Sequence, residues 1–426
     1  MPGPEDAVAA QEFSFAPYIR AGDRVMVGQA TAEPATLLRH LLAEARAGGL
    51  PPFRLFLGPA YSDALADGVP DSVHVESYGA IGATSALMRD QKLDIFPLHL
   101  TSMYRDILSG TLVADVVLMP LRPSASGTGW NLGMARDYVY AAAQRARVVI
   151  AELQPGQPLT HGGDVGDLSP AALVLAGRPP VEVTTPAPDE TARRIATRVA
   201  ELAPDGTVLQ IGVGAIPAAV CAAFRDHRDL GFHSGAITDG VADLIDCGAL
   251  TNARKEIHPG VSVAGVLLGS RRIFDFVDGN PAFRLTGHDE THSLSALGRL
   301  SNFFAVNSAL EVDLTGQVGA EVVAGRYLGA IGGQVDFVRG AIASPGGRSG
   351  IALPSVTAKG HSRIVPQVGL VTCSRADADT VVTEHGVAEL RGQPVSERVR
   401  RMIAIAAPDH REGLARAWHE MRMGPA

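Results

Sequence analysis

The run LGFHSGAITDGVADLIDCG, residues 230–248, governs how the rest of the chain is read. It opens on a short apolar segment and bends at Ser234 and Gly235. It then places Val241, Leu244 and Ile245 at helical spacing ahead of Gly248, where a helix C-cap belongs. A strand or turn that delivers residues to a helix N-terminus suits anions and oxyanions, because the first amides of a helix have no partner within it. The plan recurs on both sides. GDRVMVG (22–28) leads into QATAEPATLLRHLLAEARAGG, which turns amphipathic near Pro34, and GTVLQIG (206–212) leads into VGAIPAAVCAAFRDH with Pro217 at the helix start. Two copies of strand, small-residue loop, proline and helix predict a duplicated α/β architecture.

Further apolar strands alternate with helical segments: FRLFLG (53–58), VVLMP (116–120), RVVIAEL (147–153), VSVAGVLLGS, FFAVNSAL and GIALPS. Short β-branched runs between helices are the pattern of largely parallel, doubly wound sheets. The proline-rich stretch AGRPPVEVTTPAPDE (176–190) lacks apolar periodicity and reads as a linker, with DETARRIATRVAEL opening a second half on a helix. Two domains are expected, 1–185 and 186–426, since 426 residues exceed one ordinary core.

The net charge is −8 and the basic residues form no run, so a nucleic-acid footprint is not expected. Three cysteines, Cys221, Cys247 and Cys373, lack C-x-x-C spacing, which argues against a disulfide framework or a zinc site, and no metal is expected. The N-terminal residues show no basic region followed by an apolar core, and no apolar run reaches about 18 residues. The expectation is a cytoplasmic protein without a membrane partner.

Together with the TNARK that follows it, the 230–248 run resembles the acetyl-CoA hydrolase/transferase family, the class I CoA-transferases of the 4-hydroxybutyrate and acetate type. In that family the turn reads H-T/S-E before a D-G-x-x-D-L helix. His233, Ser234, Asp239, Gly240, Asp243 and Leu244 match, and Gly235 stands where the family carries the glutamate that attacks the thioester. DYVYAAAQRARVVIAELQPGQPLTHG (137–162) is similar to a family segment in the first half. In the second half LQIGVGAIPAAV, TNARKEIHPG, GSRRIFDFVDGNP, NSALEVDLTGQVGAE, GAIGGQVDFVRGA, GIALPS with SRIVP, and VVTEHGVAELRG match in order. The resemblance implies two similar CoA-transferase-type domains with largely parallel sheets, a homodimer, and a coenzyme A thioester as substrate, with no permanently bound cofactor.

The candidate site residues follow from the two glycine loops. Gly212, Val213 and Gly214 sit between a strand and a helix. Taken alone, this G-x-G fits either a tight turn or a dinucleotide loop, but the third glycine and the later acidic residue of the latter are missing. The resemblance implies that the Val213 amide helps form an oxyanion hole, with Gly212, Gly214, Ala215 and Ile216 beside the thioester. It likewise implies that Gly332 is the second donor, and that Gly329, Gly333 and Gln334 in GAIGGQVDF lie against the CoA arm.

His233 is a candidate general base, its ordinary pKa near 6.5 being suited to that task, although a turn histidine has a structural reading too. Ser234 reads as a turn hydroxyl. Asp239, Asp243 and Glu256 are the carboxylates that can stand in for a glutamate only by reaching its place. The first half departs from the family at Gly28-Gln-Ala-Thr-Ala-Glu-Pro34, where a glycine-rich loop is usual, and at RPSASGTGWNLG (122–133), with Arg122, Ser124 and Trp130 in unusual places.

Both stretches face the acyl pocket by resemblance, so a remodelled site is expected. The expected activity is direct acyl transfer from CoA, or from a carrier-protein pantetheine, to water, an amine or an alcohol. The alternatives are transfer between two carboxylic acids through a displaced carboxylate, and a non-catalytic CoA-binding or partner-binding protein.

Overall fold

In the computed structural model, which describes residues 3–423, the strand Arg24–Val27 lies at the middle of seven parallel strands. Leu93–Ile95, Val73–Ser77 and Phe53–Leu57 flank it on one side, and Val116–Pro123, Val148–Leu153 and Ala172–Leu175 on the other. Burial on both faces explains why these strands read as continuous apolar runs. Val25, Met26, Val27, Val116, Val117 and Leu118 are fully excluded from solvent.

The helix Ala35–Arg46 starts behind Pro34 and buries Leu37, Leu38, Leu41 and Leu42. Its open first amides, those of Thr36 and Leu37, donate to the Glu152 carboxylate at 3.0 Å, so a strand residue caps the helix. Burial pushes the Glu152 carboxyl up to about 7.

The chain divides into two units. The first comprises 1–184 with two later segments, Gly235–Asp239 and Val263–Thr291. The second comprises Thr185–Ser234, Gly240–Ser262 and the residues from His292 onward. This is a departure from two consecutive halves. Within the first unit the strand Ala236–Ile237 pairs with Val266–Leu267, a pairing that draws both segments in.

The second unit has its own parallel sheet, in the order Gly231–Phe232, Val208–Ile211, Phe303–Asn307, Arg348–Ala352 and Thr380–Thr383, closed by the antiparallel strand Gly386–Glu389. The helix Glu190–Ala200 opens this unit, capped by the Asp189 side chain on the Ala192 amide at 2.7 Å. Among the described residues no helix is long and apolar enough to cross a membrane.

One ion pair bridges the first sheet. Arg24 Nε and Nη2 donate to the two Glu76 oxygens at 2.6 and 3.1 Å, with both side chains under 10 % exposed. Breaking such a pair strands a buried charge at a cost of about 3–5 kcal/mol, whereas replacing both members by apolar groups is often neutral. Glu76→Ala is therefore expected to lower the urea-unfolding free energy by about 3–5 kcal/mol. Arg24→Met added to Glu76→Leu is expected to restore most of it, and a Glu76→Ala variant as stable as the parent contradicts this account.

Candidate functional site

In the second unit Val208–Ile211, Phe303–Asn307 and Arg348–Ala352 are parallel neighbours, so their carboxyl ends meet one edge, the usual position of ligand sites in open α/β sheets. A cavity of about 330 Å³ opens there, lined by residues 213–217 together with Asp189, Ser308, Leu353 and Arg363. Gly214 caps the helix Ala215–Ala223 at φ +124°, a conformation that side chains resist, and no side chain occupies the cap. Pro217, third in the helix, has no N–H, so the open first-turn donors are the amides of Ala215 and Ile216. Val213 is 43 % exposed beside them. The Gly212 amide instead donates to Val306 O at 3.1 Å, which assigns that glycine to the sheet.

The second loop reaches the same neighbourhood through Gln334, whose Nε2 donates to Ser308 O at 2.7 Å. Gly333 caps the helix Gln334–Ala343, again without a side-chain cap, and Gly332 sits at φ +58°. Gly329 anchors the start of the loop by donating to Glu321 O. A Cβ on Gly333 would lie 2.5 Å from His292 Nε2, and the His292 ring packs 4.3 Å from Phe337. His292 is buried, and its only mark in the sequence is its place in the histidine-rich stretch GHDETH.

Arg363 is the cation of the cavity. Its Nη1 donates to Ala309 O and Leu310 O at 3.5 and 3.3 Å, while its buried Nε has no hydrogen-bond partner among the described residues. Burial lowers the pKa of this guanidinium, which stays charged at neutral pH. Other basic residues near the motifs have structural partners. Lys255 is buried and donates to Phe232 O and Val261 O, Arg254 pairs with Asp229 at 2.6 Å, and Arg271 pairs with Asp275 at 2.7 Å. Arg122 donates to Gln157 O.

His233 is fully buried, with its amide donating to Leu209 O at 3.0 Å, and the Ser234 hydroxyl donates to Ile211 O at 3.4 Å. Gly235 O accepts from the amides of Gly265 and Val266, both at 3.0 Å. Asp239 accepts from the Ser270 amide at 3.2 and 3.1 Å, and Glu256 accepts from the Ser301 amide through both oxygens at 3.1 Å. Asp243 is exposed on the helix Asp239–Asp246. Among the described residues no group of three or more His, Cys, Asp or Glu could hold a metal ion.

Residues 269–418 match the acetyl-CoA hydrolase/transferase C-terminal domain. The chain is 36 % identical to the 4-hydroxybutyrate coenzyme A transferase of Clostridium kluyveri over 340 residues, 78 % of this chain and 79 % of that protein. The chain belongs to the acetyl-CoA hydrolase/transferase family. A second member, the succinyl-CoA:acetate/propanoyl-CoA:succinate CoA transferase of Fasciola hepatica, is 33 % identical over 413 residues, 94 % of this chain and 85 % of that one. The crystal structure of RipA from Yersinia pestis superposes with a TM-score of 0.89 at 30 % identity, covering 99 % of this chain and 98 % of that one. The crystal structure of 4-hydroxybutyrate CoA-transferase from Porphyromonas gingivalis superposes with a TM-score of 0.79 at 29 % identity over 98 % of each chain, so a CoA-transferase-type fold spans this family member.

Where the family resemblance expects a glycine-rich loop in the first half, a buried polar network is found. Gln29 Nε2 donates to Asp137 Oδ2 at 2.6 Å and Tyr78 OH donates to Gln29 Oε1 at 2.6 Å. Asp137 also caps the helix Tyr138–Ala143 through the Val139 amide. Burial pushes the Asp137 carboxyl up to about 6, against the opposing effect of these hydrogen bonds.

A carboxyl whose pKa is raised on folding stabilises the protein below its unfolded pKa, and that contribution is lost as pH rises through the folded value. Between pH 4 and 7 the parent protein is therefore expected to lose about 2 kcal/mol relative to Asp137→Asn, read from urea unfolding at each pH. Parallel pH profiles for the two proteins contradict the shift. In the second unit, Gly333→Ala must displace His292 or the loop, and a misplacement of this size is expected to lower kcat/KM for acyl-CoA by about 10²-fold. An unchanged kcat/KM removes this loop from the site.

Proposed function

We propose that this enzyme transfers the acyl group of a CoA thioester directly to water, an amine or an alcohol, with no glutamyl-CoA intermediate on the protein. The observation that carries this reading is Gly235. It has no side chain to attack a thioester, and its carbonyl is engaged by Gly265 and Val266. The nearby carboxylates have other partners: Asp239 is held on the Ser270 amide and Glu256 on the Ser301 amide, which disfavours a displaced nucleophile.

The loops around the cavity keep the features that acyl transfer needs. In this reading the amides of Val213 and Gly332 take the charge that develops on the thioester oxygen, each such donor being worth about 2.7–4 kcal/mol. His233, fully buried at its turn and outside the lining of the cavity, keeps the structural role of a turn histidine in this reading, and the proton of the attacking group goes to the departing sulfur, which leaves as the thiol. Relatives named as CoA transferases support CoA as the carrier of the thioester, and a carrier-protein pantetheine presents the same arm.

Intact-protein and small-molecule mass spectrometry after incubation with short acyl-CoAs tests the reading. Free CoA is expected to accumulate while the protein mass stays unchanged; a covalent CoA adduct on any carboxylate overturns direct transfer.

A further inference from the structure

A second cavity, of about 430 Å³, lies wholly within the first unit and is lined by charged and hydroxyl groups of both signs. Its position is set by backbone bonds. Gly265 N and Val266 N donate to Gly235 O, the Arg136 amide donates to Gly265 O at 2.8 Å, and the Thr286 amide donates to Ala264 O at 3.0 Å. Arg136 and Thr286 both line the cavity, so it begins one strand away from Gly235.

The lining carries two guanidiniums, of Arg136 and Arg284, and three carboxylates, of Asp164, Asp289 and Glu290, with the Tyr104 phenol among them. Arg136 is oriented on two sides: Nη1 donates to Gly162 O at 2.7 Å and Cζ lies 4.8 Å from the Tyr140 ring centre. That leaves a planar fork held in one attitude, the geometry that recognises a carboxylate. Glu290 accepts from the Thr286 hydroxyl at 2.6 Å, and Tyr104 donates to Asp289. Burial and the Asp289 charge push the Tyr104 phenol up to about 12, so it is a neutral donor.

A plain carboxylate entering here meets three carboxylates, and a plain amine meets two guanidiniums; each is penalised by the like charges. A molecule bearing both charges is matched by both sets. We infer that this cavity binds a zwitterionic amino acid, its carboxylate on the Arg136 and Arg284 side and its ammonium on the Glu290 and Asp289 side.

Calorimetric titration of the full chain, without acyl-CoA, tests the binding on its own. The probes are the common α-amino acids with β-alanine and 4-aminobutyrate, and for each binder its deaminated acid and its decarboxylated amine. At least one amino acid is expected to bind saturably, with both single-charge analogues weaker by about tenfold or more. Glu290→Gln, which keeps an acceptor for Thr286, and Arg284→Gln at the exposed rim are each expected to weaken it by about tenfold. Arg136→Gln should do the same, but Arg136 also ties down Gly162, so the exposed Arg284 carries the test if that variant fails to fold.

The inference is overturned if no amino acid binds, if the deaminated acid binds as tightly, or if the Arg284 and Glu290 variants bind like the parent.

Discussion

Much of the second unit depends on three parallel strands ending level. Ile211 lies opposite Val306, and Asn307 opposite Ile351, so the chain leaves the sheet at one edge three times over. Parallel strands cannot be joined by tight turns, and each exit must lead through a loop to a crossover. The helix Ala215–Ala223 begins directly after the first exit, and the helix Gln334–Ala343 follows the second in sequence and is tied to it by the bond from Gln334 to Ser308. Both helices are capped by a glycine with no side chain on the cap. Open amides and the positive ends of helix dipoles gather where a polarised carbonyl oxygen can use them.

Much of this scaffold is legible in the amino-acid sequence. The β-branched runs 24–27, 116–120, 148–153 and 303–307 are core strands because their neighbours bury both faces, and Pro34, Asp189 and Pro217 mark helix starts through backbone chemistry that needs no tertiary context. Val73–Ser77 and Leu93–Ile95 give no such signal because they carry His74, Glu76 and Asp94. Glu76 is tolerated inside only because Arg24 meets it from a strand two places away. The return of 235–239 and 263–291 to the first unit is equally hidden. It rests on a two-residue strand pairing with another, with no punctuation in the sequence to announce it.

The candidate site divides along the same line. Glycines at 214, 332 and 333 advertise themselves because glycine is favoured where φ is positive or a neighbour crowds the Cα. Arg363 and His292 do not. Their significance lies in what they touch, the Ser308–Leu310 segment and Gly333, and an isolated arginine or histidine in a sequence is ordinarily surface or packing. The charged cavity of the first unit is assembled from four separate stretches, around residues 104, 136, 162 and 284–290, of which only Gly162, at the end of the 137–162 segment, falls in a motif read from the sequence.

The energetics of direct transfer bear on how these parts relate. In the proposed reading two oxyanion donors would supply about 5–8 kcal/mol, against the roughly 8–23 kcal/mol that enzymes commonly remove from a barrier. A covalent carboxylate would supply the remainder by making the first attack intramolecular. In the proposed direct transfer that share falls to the acceptor, whose orientation when bound is worth about 7–11 kcal/mol in favourable cases. Water, at high concentration and without a handle, gains little from such a site, so the advantage is open to an acceptor that carries groups by which it can be held.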